Sequence, residues 1–235
     1  MAKSAVVVGD SVWIAGQLND LAPIDSKTNT LGAKVPGNHP RITYGFGSIW
    51  AVGHQGEPLD RVNPATSNII ASIQLGGKVS DSSEENNVLV TAAAVWVISN
   101  GELIKIDPAT NRISVRTTLD KIGEEAKAQA TIPAGKGSDF IWWRLDQGLV
   151  RIDPNTGVGL TLLPAIRDDI SIAVTDDALW VVDNQGLLSR VNVATNQIDA
   201  TYKVRPGASR VVVGLGSLWL AYTDATLVQR LDITP

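Results

Sequence analysis

The sequence predicts an all-β chain: a six-bladed β-propeller of four-stranded antiparallel blades, with a last blade of only three strands. Three observations carry this. A tryptophan-centred apolar strand recurs six times, an Asx-rich turn follows each copy, and no stretch sustains a 3.6-residue apolar period.

The recurring strand reads DSVWIAG (10–16), GSIWAVG (47–53), AAVWVIS (93–99), DFIWWRL (139–145), DALWVVD (177–183) and GSLWLAY (216–222). Taking Trp13, Trp50, Trp96, Trp142, Trp180 and Trp219, the intervals are 37, 46, 46, 38 and 39 residues. Each copy is followed by a second marker: PIDSKTN (23–29), RVNPATSN (61–68), KIDPATN (105–111), RIDPNTG (151–157), RVNVATN (190–196) and RLDITP (230–235). Asp or Asn before Pro, then Thr-Asn or Thr-Gly, is turn chemistry, because Pro presets φ and the Asx side chain caps the local backbone. A turn of this kind between two alternating runs reads as a hairpin.

Each repeat therefore holds four short strands. In the fifth they are SIAVT (171–175), ALWVVD (178–183), LLSRVN (187–192) and QIDATYKV (197–204). KIGEEAKAQA (121–130) comes nearest to a helical pattern and reads as one turn within a loop. Four-stranded units of this length, repeated, are the signature of a propeller, in which each small sheet buries its faces against its neighbours. The tryptophans are expected between blades, where their area contributes most. The whole chain reads as one domain, with repeats at approximately 4–36, 40–76, 86–119, 128–164, 170–204 and 209–235.

The sixth repeat stops in the turn before its fourth strand, and no spare strand precedes SAVVVG. The expectation is a three-stranded last blade with an open edge near 225–235, able to pair with another chain.

The pairing of GSLWV with RIDP-TN resembles the YncE-like and streptogramin-lyase-like (virginiamycin B lyase-like) propellers, over all six repeats. These motifs build blades and say little of activity. The Gly-His and Trp-Asp signature of WD40 repeats is absent, and the repeat is shorter than a kelch unit. The resemblance implies a lyase as the favoured enzymatic reading. In that family a lactone ring is opened by elimination, with histidine, glutamate and a divalent metal, and the histidines come from late blades. Here no histidine follows His54, so those residues do not carry over.

Composition narrows the field further. Of 235 residues, 44 % are hydrophobic and 19 % charged, with a net charge of −4. A sizeable core can form, and nothing suggests the basic footprint of nucleic-acid binding. The absence of cysteine excludes thiol chemistry, disulfides and thiolate-ligated metals. No apolar run is long enough to span a membrane. MAKSAVVVGD enters a strand pattern at once; an extracytoplasmic location, with a signal segment removed, is expected over a cytosolic one.

A site is expected on the face that carries the loops after the second strand, around the central opening. Four residues after each tryptophan stand Gln17, His54, Asn100, Asp146, Asn184 and Thr223; nine before stand Ser4, Arg41, Asn87, Ser171 and Arg210, with Gln129 in the irregular fourth repeat. All are polar, and read as two rings at the strand tops. Pairing back through GFGS (45–48) sets His54 opposite Arg41 or Ile42, with His39 just beyond. An imidazole beside a cation suits acid/base or anion chemistry. The acidic links 76–87 and 119–129 bring Glu84, Glu85, Glu124 and Glu125 to the same face. The catalytic candidates are thus His54, His39 and Glu85. The ligand-binding candidates are Arg41, Asn87, Asn100, Arg144, Asp146, Asn184 and Arg210. Arg144 replaces the small apolar residue found two after the tryptophan elsewhere, and Asp146 is its candidate partner. No metal-ligand motif is present; no cofactor is required, and a divalent Mg or Ca would have to be assembled from separate blades.

Three functions follow as expectations. The first is a propeller that binds a small molecule, glycan or protein on its top face. The second is a lyase or hydrolase with its own catalytic set. The third is an assembly module that pairs through the open last blade.

Overall fold

The computed structural model describes residues 2–16, 21–54, 56–76, 87–99, 102–118, 141–145, 148–163, 171–222 and 227–233. Regular structure among them is entirely β. Sheet one contains β1 (Ala2–Val8), β2 (Ser11–Gly16) and β3 (Ala22–Asp25). Sheet two contains β4 (Arg41–Gly45), β5 (Ser48–Val52), β6 (Leu59–Asn63) and β7 (Asn68–Ile73). Sheet three contains β8 (Asn87–Val90), β9 (Val95–Ser99), β10 (Glu102–Asp107) and β11 (Arg112–Thr118). Sheet four has β12 (Ile141–Leu145), β13 (Gly148–Ile152) and β14 (Gly159–Leu163). Sheet five has β15 (Ser171–Val174), β16 (Ala178–Val182), β17 (Leu187–Asn192) and β18 (Gln197–Lys203). Sheet six has β19 (Ala208–Gly214), β20 (Ser217–Tyr222) and β21 (Leu227–Asp232). Every sheet is an antiparallel meander in chain order.

The chain divides into two compact units, Met1–Gly123 with Asn155–Gly157, and Glu124–Pro154 with Val158–Pro235. Sheets one to three lie in the first. Sheets four to six lie in the second, except for the turn of sheet four.

The expected six-bladed propeller of four-stranded blades is corrected here. Only three of the sheets have four strands among the described residues. In sheet one the segment after the turn contributes just two isolated bridges, Leu21 to Val35 and Ile24 to Leu31. Its chemistry explains this: Pro23 lacks an N–H to donate and Pro36 ends the segment, so the pairing is limited to a few bonds such as Gly32 N to Pro23 O and Val35 N to Leu21 O. In sheet four the first strand would fall outside the described residues, as does the region of 121–130. Sheet six ends at β21.

Hairpin geometry follows turn chemistry. Between β4 and β5, Phe46 and Gly47 both take positive φ, 51° and 67°, as do Leu215 and Gly216 in sheet six. Positive φ at both central residues is the two-residue turn that matches strand twist. In sheets three and five a threonine does this work instead. Thr91 Oγ1 donates to Ala94 O, and Thr175 Oγ1 to Ala178 O. The Asx turns form as expected: Asn63 Oδ1 accepts from Ala65 N, Asp107 Oδ1 from Ala109 N and Asn192 Oδ1 from Ala194 N, each at 2.8–2.9 Å. They close through left-handed residues, Asn29, Ser67, Asn111 and Asn196, with φ between 55° and 58°.

Within the first unit, Trp50, Val52, Leu59, Ile73 and Leu75 of sheet two share a buried cluster with Val95, Val97, Ile104 and Ile106 of sheet three. Within the second, Trp180 and Leu188 of sheet five pack with Leu218 and Leu220 of sheet six. Trp13, Trp50, Trp96, Trp142 and Trp180 are buried, so the tryptophans are core wedges between sheets. Trp219 departs from the series and is half-buried.

Candidate binding site

The expected corner of His39, Arg41 and His54 is rearranged by strand register. The two-residue turn at Phe46-Gly47 pairs Gly45 with Ser48, and therefore Arg41 with Val52. His54 lies two residues beyond Arg41's partner rather than opposite Arg41 or Ile42.

His39 is not a rim residue. It is 3 % exposed, and its Nε2 lies 2.8 Å from Asp60 Oδ2. Asp60 is itself buried on β6, and its Oδ1 accepts from Ser72 Oγ on β7. A buried carboxylate must have partners, and imidazole and hydroxyl supply them here. This chain of side chains ties the segment before β4 to the two outer strands of sheet two. His54 is half-buried. Its backbone N–H donates to Glu57 Oε2 at 2.7 Å, and Glu57 N donates back to His54 O at 3.1 Å. The Glu57 carboxylate lies against Gly53: a Cβ there would stand 1.7 Å from Glu57 Oε2 and 2.6 Å from Asn38 O.

The other candidates fall as follows. Arg41 opens β4 and is half-buried, and Asn87 opens β8 with its Oδ1 accepting from Val88 N. In the second unit, Asn184 is exposed and its Oδ1 accepts from Gln185 Nε2. Arg210 is exposed on β19, with Nη1 donating to Ser209 O. Arg144 lies on β12 opposite Leu149, its side chain outside the described residues. Glu84, Glu85, Asn100, Glu124, Glu125, Gln129 and Asp146 also lie outside them. Among the described residues, no three of His, Asp and Glu come together as cation ligands.

A different set of residues organises the fold. Directly opposite five of the tryptophans stands a cation: Trp50 faces Arg61, Trp96 faces Lys105, Trp142 faces Arg151, Trp180 faces Arg190 and Trp219 faces Arg230. Each lies over its indole, 4.8–5.9 Å from the ring centroid. Such a contact is worth about 0.5–2 kcal/mol, rising with desolvation. Three of the cations also reach the turn of the following sheet. Arg61 Nη1 donates to Pro108 O at 2.7 Å and Asn111 Oδ1 at 2.8 Å. Lys105 Nζ donates to Asn155 O at 3.1 Å, and Arg151 Nη1 to Asn196 Oδ1 at 2.5 Å. Arg151 is buried, and desolvation pushes its pKa down. Sequence reasoning missed this ladder. The signal was in plain view: RVNP, KIDP, RIDP, RVNV and RLDI all place a cation two residues before the Asx.

Arg190 breaks the rule in an informative way. Its guanidinium pairs with Asp199 and Asp177, both on its own sheet. The Asp199 bond, followed by the charge of both carboxylates, raises its pKa, while the Thr175 hydroxyl, ahead of Arg190, lowers that of Asp177. It lines a cleft of about 620 Å³ in the second unit. Sheet five contributes Trp180, Leu188 and Tyr202 to the wall, and sheet six contributes Leu218, Gln229 and Leu231. The Trp180 and Tyr202 rings lie 6.1 Å apart, tilted by 32°. Asp177, Arg190, Lys203 and Asp232 give the rim both signs of charge. An apolar, aromatic interior with a few charged groups at its edge is the usual composition of a ligand site.

No family model and no curated protein matches the chain. Solved structures do. The chain is similar to BamB from Moraxella catarrhalis, with TM-score 0.74 and 13 % identity over 97 % of this chain and 69 % of that one. It is similar to the Pan2 WD40 domain of Neurospora crassa, with TM-score 0.77 and 10 % identity over 99 % and 75 %. It is also similar to the computationally designed Ika8 protein, with TM-score 0.72 and 11 % identity over 99 % and 71 %. The fold is a β-propeller. At these identities the likeness is one of fold. No helix among the described residues is long and apolar enough to cross a membrane.

Proposed function

We propose that this protein is a non-catalytic binding scaffold, and that the cleft between sheets five and six is where it takes its ligand. The observation that carries this reading is the cleft itself: about 620 Å³, lined by Trp180, Leu188, Tyr202 and Arg190. The β-propeller fold is consistent with a binding or scaffold role. Antiparallel sheets hold the walls, so a ligand meets a preformed surface and little ordering entropy is lost on binding.

The surroundings of His39 weigh against the lyase reading. An acid or base must reach the proton it moves, and this imidazole is buried with Nε2 committed to Asp60. A small molecule, a glycan or a protein segment all fall within the proposal.

A ligand that binds only the folded state raises its melting temperature by mass action. A thermal-shift screen should return hits whose effect disappears in Tyr202→Ala and persists in Arg41→Ala. Hits with the opposite dependence would move the site to the first unit and overturn the assignment.

A further inference from the structure

Each sheet offers its successor a seat: a tryptophan and the residue paired opposite it. The successor brings a turn that carries one left-handed residue. Between sheets one and two, Pro23 stands opposite Trp13, and the left-handed residue is Ser67. Between two and three, Arg61 stands opposite Trp50, and Asn111 gives its carboxamide oxygen to the guanidinium. Between three and four, Lys105 stands opposite Trp96, and the left-handed residue is Gly157, with φ 73°. There the Lys105 Nζ donates to a backbone oxygen instead, Asn155 O. Between four and five, Arg151 stands opposite Trp142, and Asn196 accepts as Asn111 does. The pairings therefore run Pro with Ser, Arg with Asn, Lys with Gly, Arg with Asn. No two successive junctions are alike.

Each pairing has a physical reason. A guanidinium has five N–H donors in a planar fork, so it can lie on an indole and still serve a carboxamide and a carbonyl. An ammonium is a compact point charge that a backbone oxygen satisfies. Gly157 has no room to become asparagine. A Cβ there would stand 2.8 Å from Thr117 Oγ1 and 3.5 Å from Trp96 Cη2, and Thr117 is buried.

We infer that this alternation is a register device: each seat accepts the turn of the next sheet and rejects the turn of the sheet after it. The turns NPATSN, DPATN, DPNTG and NVATN are alike enough to be confused, and misassembly between similar repeats is a characteristic failure of such chains. Every skip of one sheet meets a mismatch. Sheet three's turn on sheet one would bring Asn111 to Pro23, which has no donor. Sheet four's turn on sheet two would bring Gly157, which has no side-chain acceptor for Arg61. Sheet five's turn on sheet three would drive the Asn196 Cβ into the space held by Thr117. Unpaired polar groups and steric overlap against the wrong partner are how specificity is built.

The test makes two neighbouring junctions identical. Arg61→Lys with Asn111→Gly gives sheet two the lysine-and-glycine pairing of sheet three, so that sheet four's turn fits both seats. The full chain carrying both changes is unfolded in urea, refolded by dilution, and scored for native monomer by size exclusion and tryptophan fluorescence. Its urea midpoint should lie closer to wild type than that of Arg61→Lys alone, because the pairing is again matched. Its yield of native monomer should nevertheless fall at least twofold. Asp60→Ala, which lowers stability away from any seat, sets the yield that lost stability alone produces, and the double variant should fall below it. A double variant that refolds as well as wild type overturns the inference, as does a yield no lower than that of Asp60→Ala. A midpoint lowered by the sum of the two single changes overturns it as well, since lysine and glycine would then not be a matched pair.

Discussion

Arg61 and Asn111 are bonded across a sheet boundary: the guanidinium of β6 donates from Nη1 to the Asn111 carboxamide oxygen at 2.8 Å, while the same arginine lies 4.8 Å from the Trp50 ring centroid. One side chain thereby joins the indole of its own sheet to the turn of the next. Its Nε also donates to Ser48 Oγ at 2.9 Å, which fixes the guanidinium plane.

Removing that cation should be expensive for a residue that is only half-buried. Arg61→Ala loses the stacking contact and leaves Asn111 and Pro108 without their donor, for an expected loss of about 2–3 kcal/mol. Urea unfolding checks this; a change below about 0.5 kcal/mol, the usual surface value, would refute the ladder as a stabilising device.

Asn111 carries two roles that separate by substitution. Its φ is 56°, in the left-handed region. Asn111→Gly keeps the backbone comfortable and loses only the acceptor. Asn111→Ala loses both and should be less stable than the glycine variant by about 1 kcal/mol. Equal midpoints for the two would show that backbone strain is unimportant at this turn.

The chain from buried His39 and Asp60 to exposed Ser72 should behave as one unit. Asp60→Ala strands the buried His39 imidazole, while the exposed Ser72 hydroxyl turns to water, with an expected cost of about 2–3 kcal/mol. Ser72→Ala removes one of two partners and should cost about 1 kcal/mol. The double variant should then be little worse than Asp60→Ala alone, because the partners are coupled. Strict additivity in a double-mutant cycle would argue against the network.

Asp107 makes part of the acid stability predictable in sign. The Ala109 N–H, then the Thr110 hydroxyl, hold its pKa below the ordinary 3.8. Asp25 is lowered likewise, first by the Thr28 N–H. A carboxylate with a depressed folded pKa contributes stability that is fully present above its unfolded value and is lost as pH falls through the folded one. Stability should therefore be flat in this term above about pH 5 and decline below about pH 4. Asp107→Asn should flatten that decline. A pH series of urea midpoints with the same acid slope in wild type and variant would rule the turn out as a contributor.

Gly53 is constrained by neighbours rather than by its own backbone. Gly53→Ala places a methyl where the Glu57 carboxylate lies and 2.6 Å from Asn38 O. Overpacking of this kind costs about 1–3 kcal/mol. Amide exchange at His54, whose N–H is held by Glu57, should accelerate in the variant. Unchanged exchange there would mean that Glu57 swings aside without loss.

Much of the fold was legible because repeats announce themselves. The tryptophans and Asx turns mark sheet after sheet, and the four strands read from 171 to 204 appear as β15 to β18 within one residue at their ends. The strand count was less legible, because pairing depends on a partner able to donate and accept along its length, as Pro23 shows in sheet one. The site was least legible. Strand-end positions identify polar residues but not their direction, so His39 read as a rim group when Asp60, 21 residues later, draws it inside. The cleft could not be seen from any one repeat, since its walls come from two sheets.

Where the cation ladder crosses from sheet to sheet, it points forward along the chain. Arg61 holds a residue 50 positions ahead, Lys105 one 50 ahead and Arg151 one 45 ahead. At ribosomal speeds of about 5–20 residues per second, that spacing is a delay of roughly 2–10 s. During synthesis each indole-and-cation seat is therefore translated before the turn it will receive. Assembly can proceed as a relay through sheets three, four and five, each of which arrives to find its dock already built.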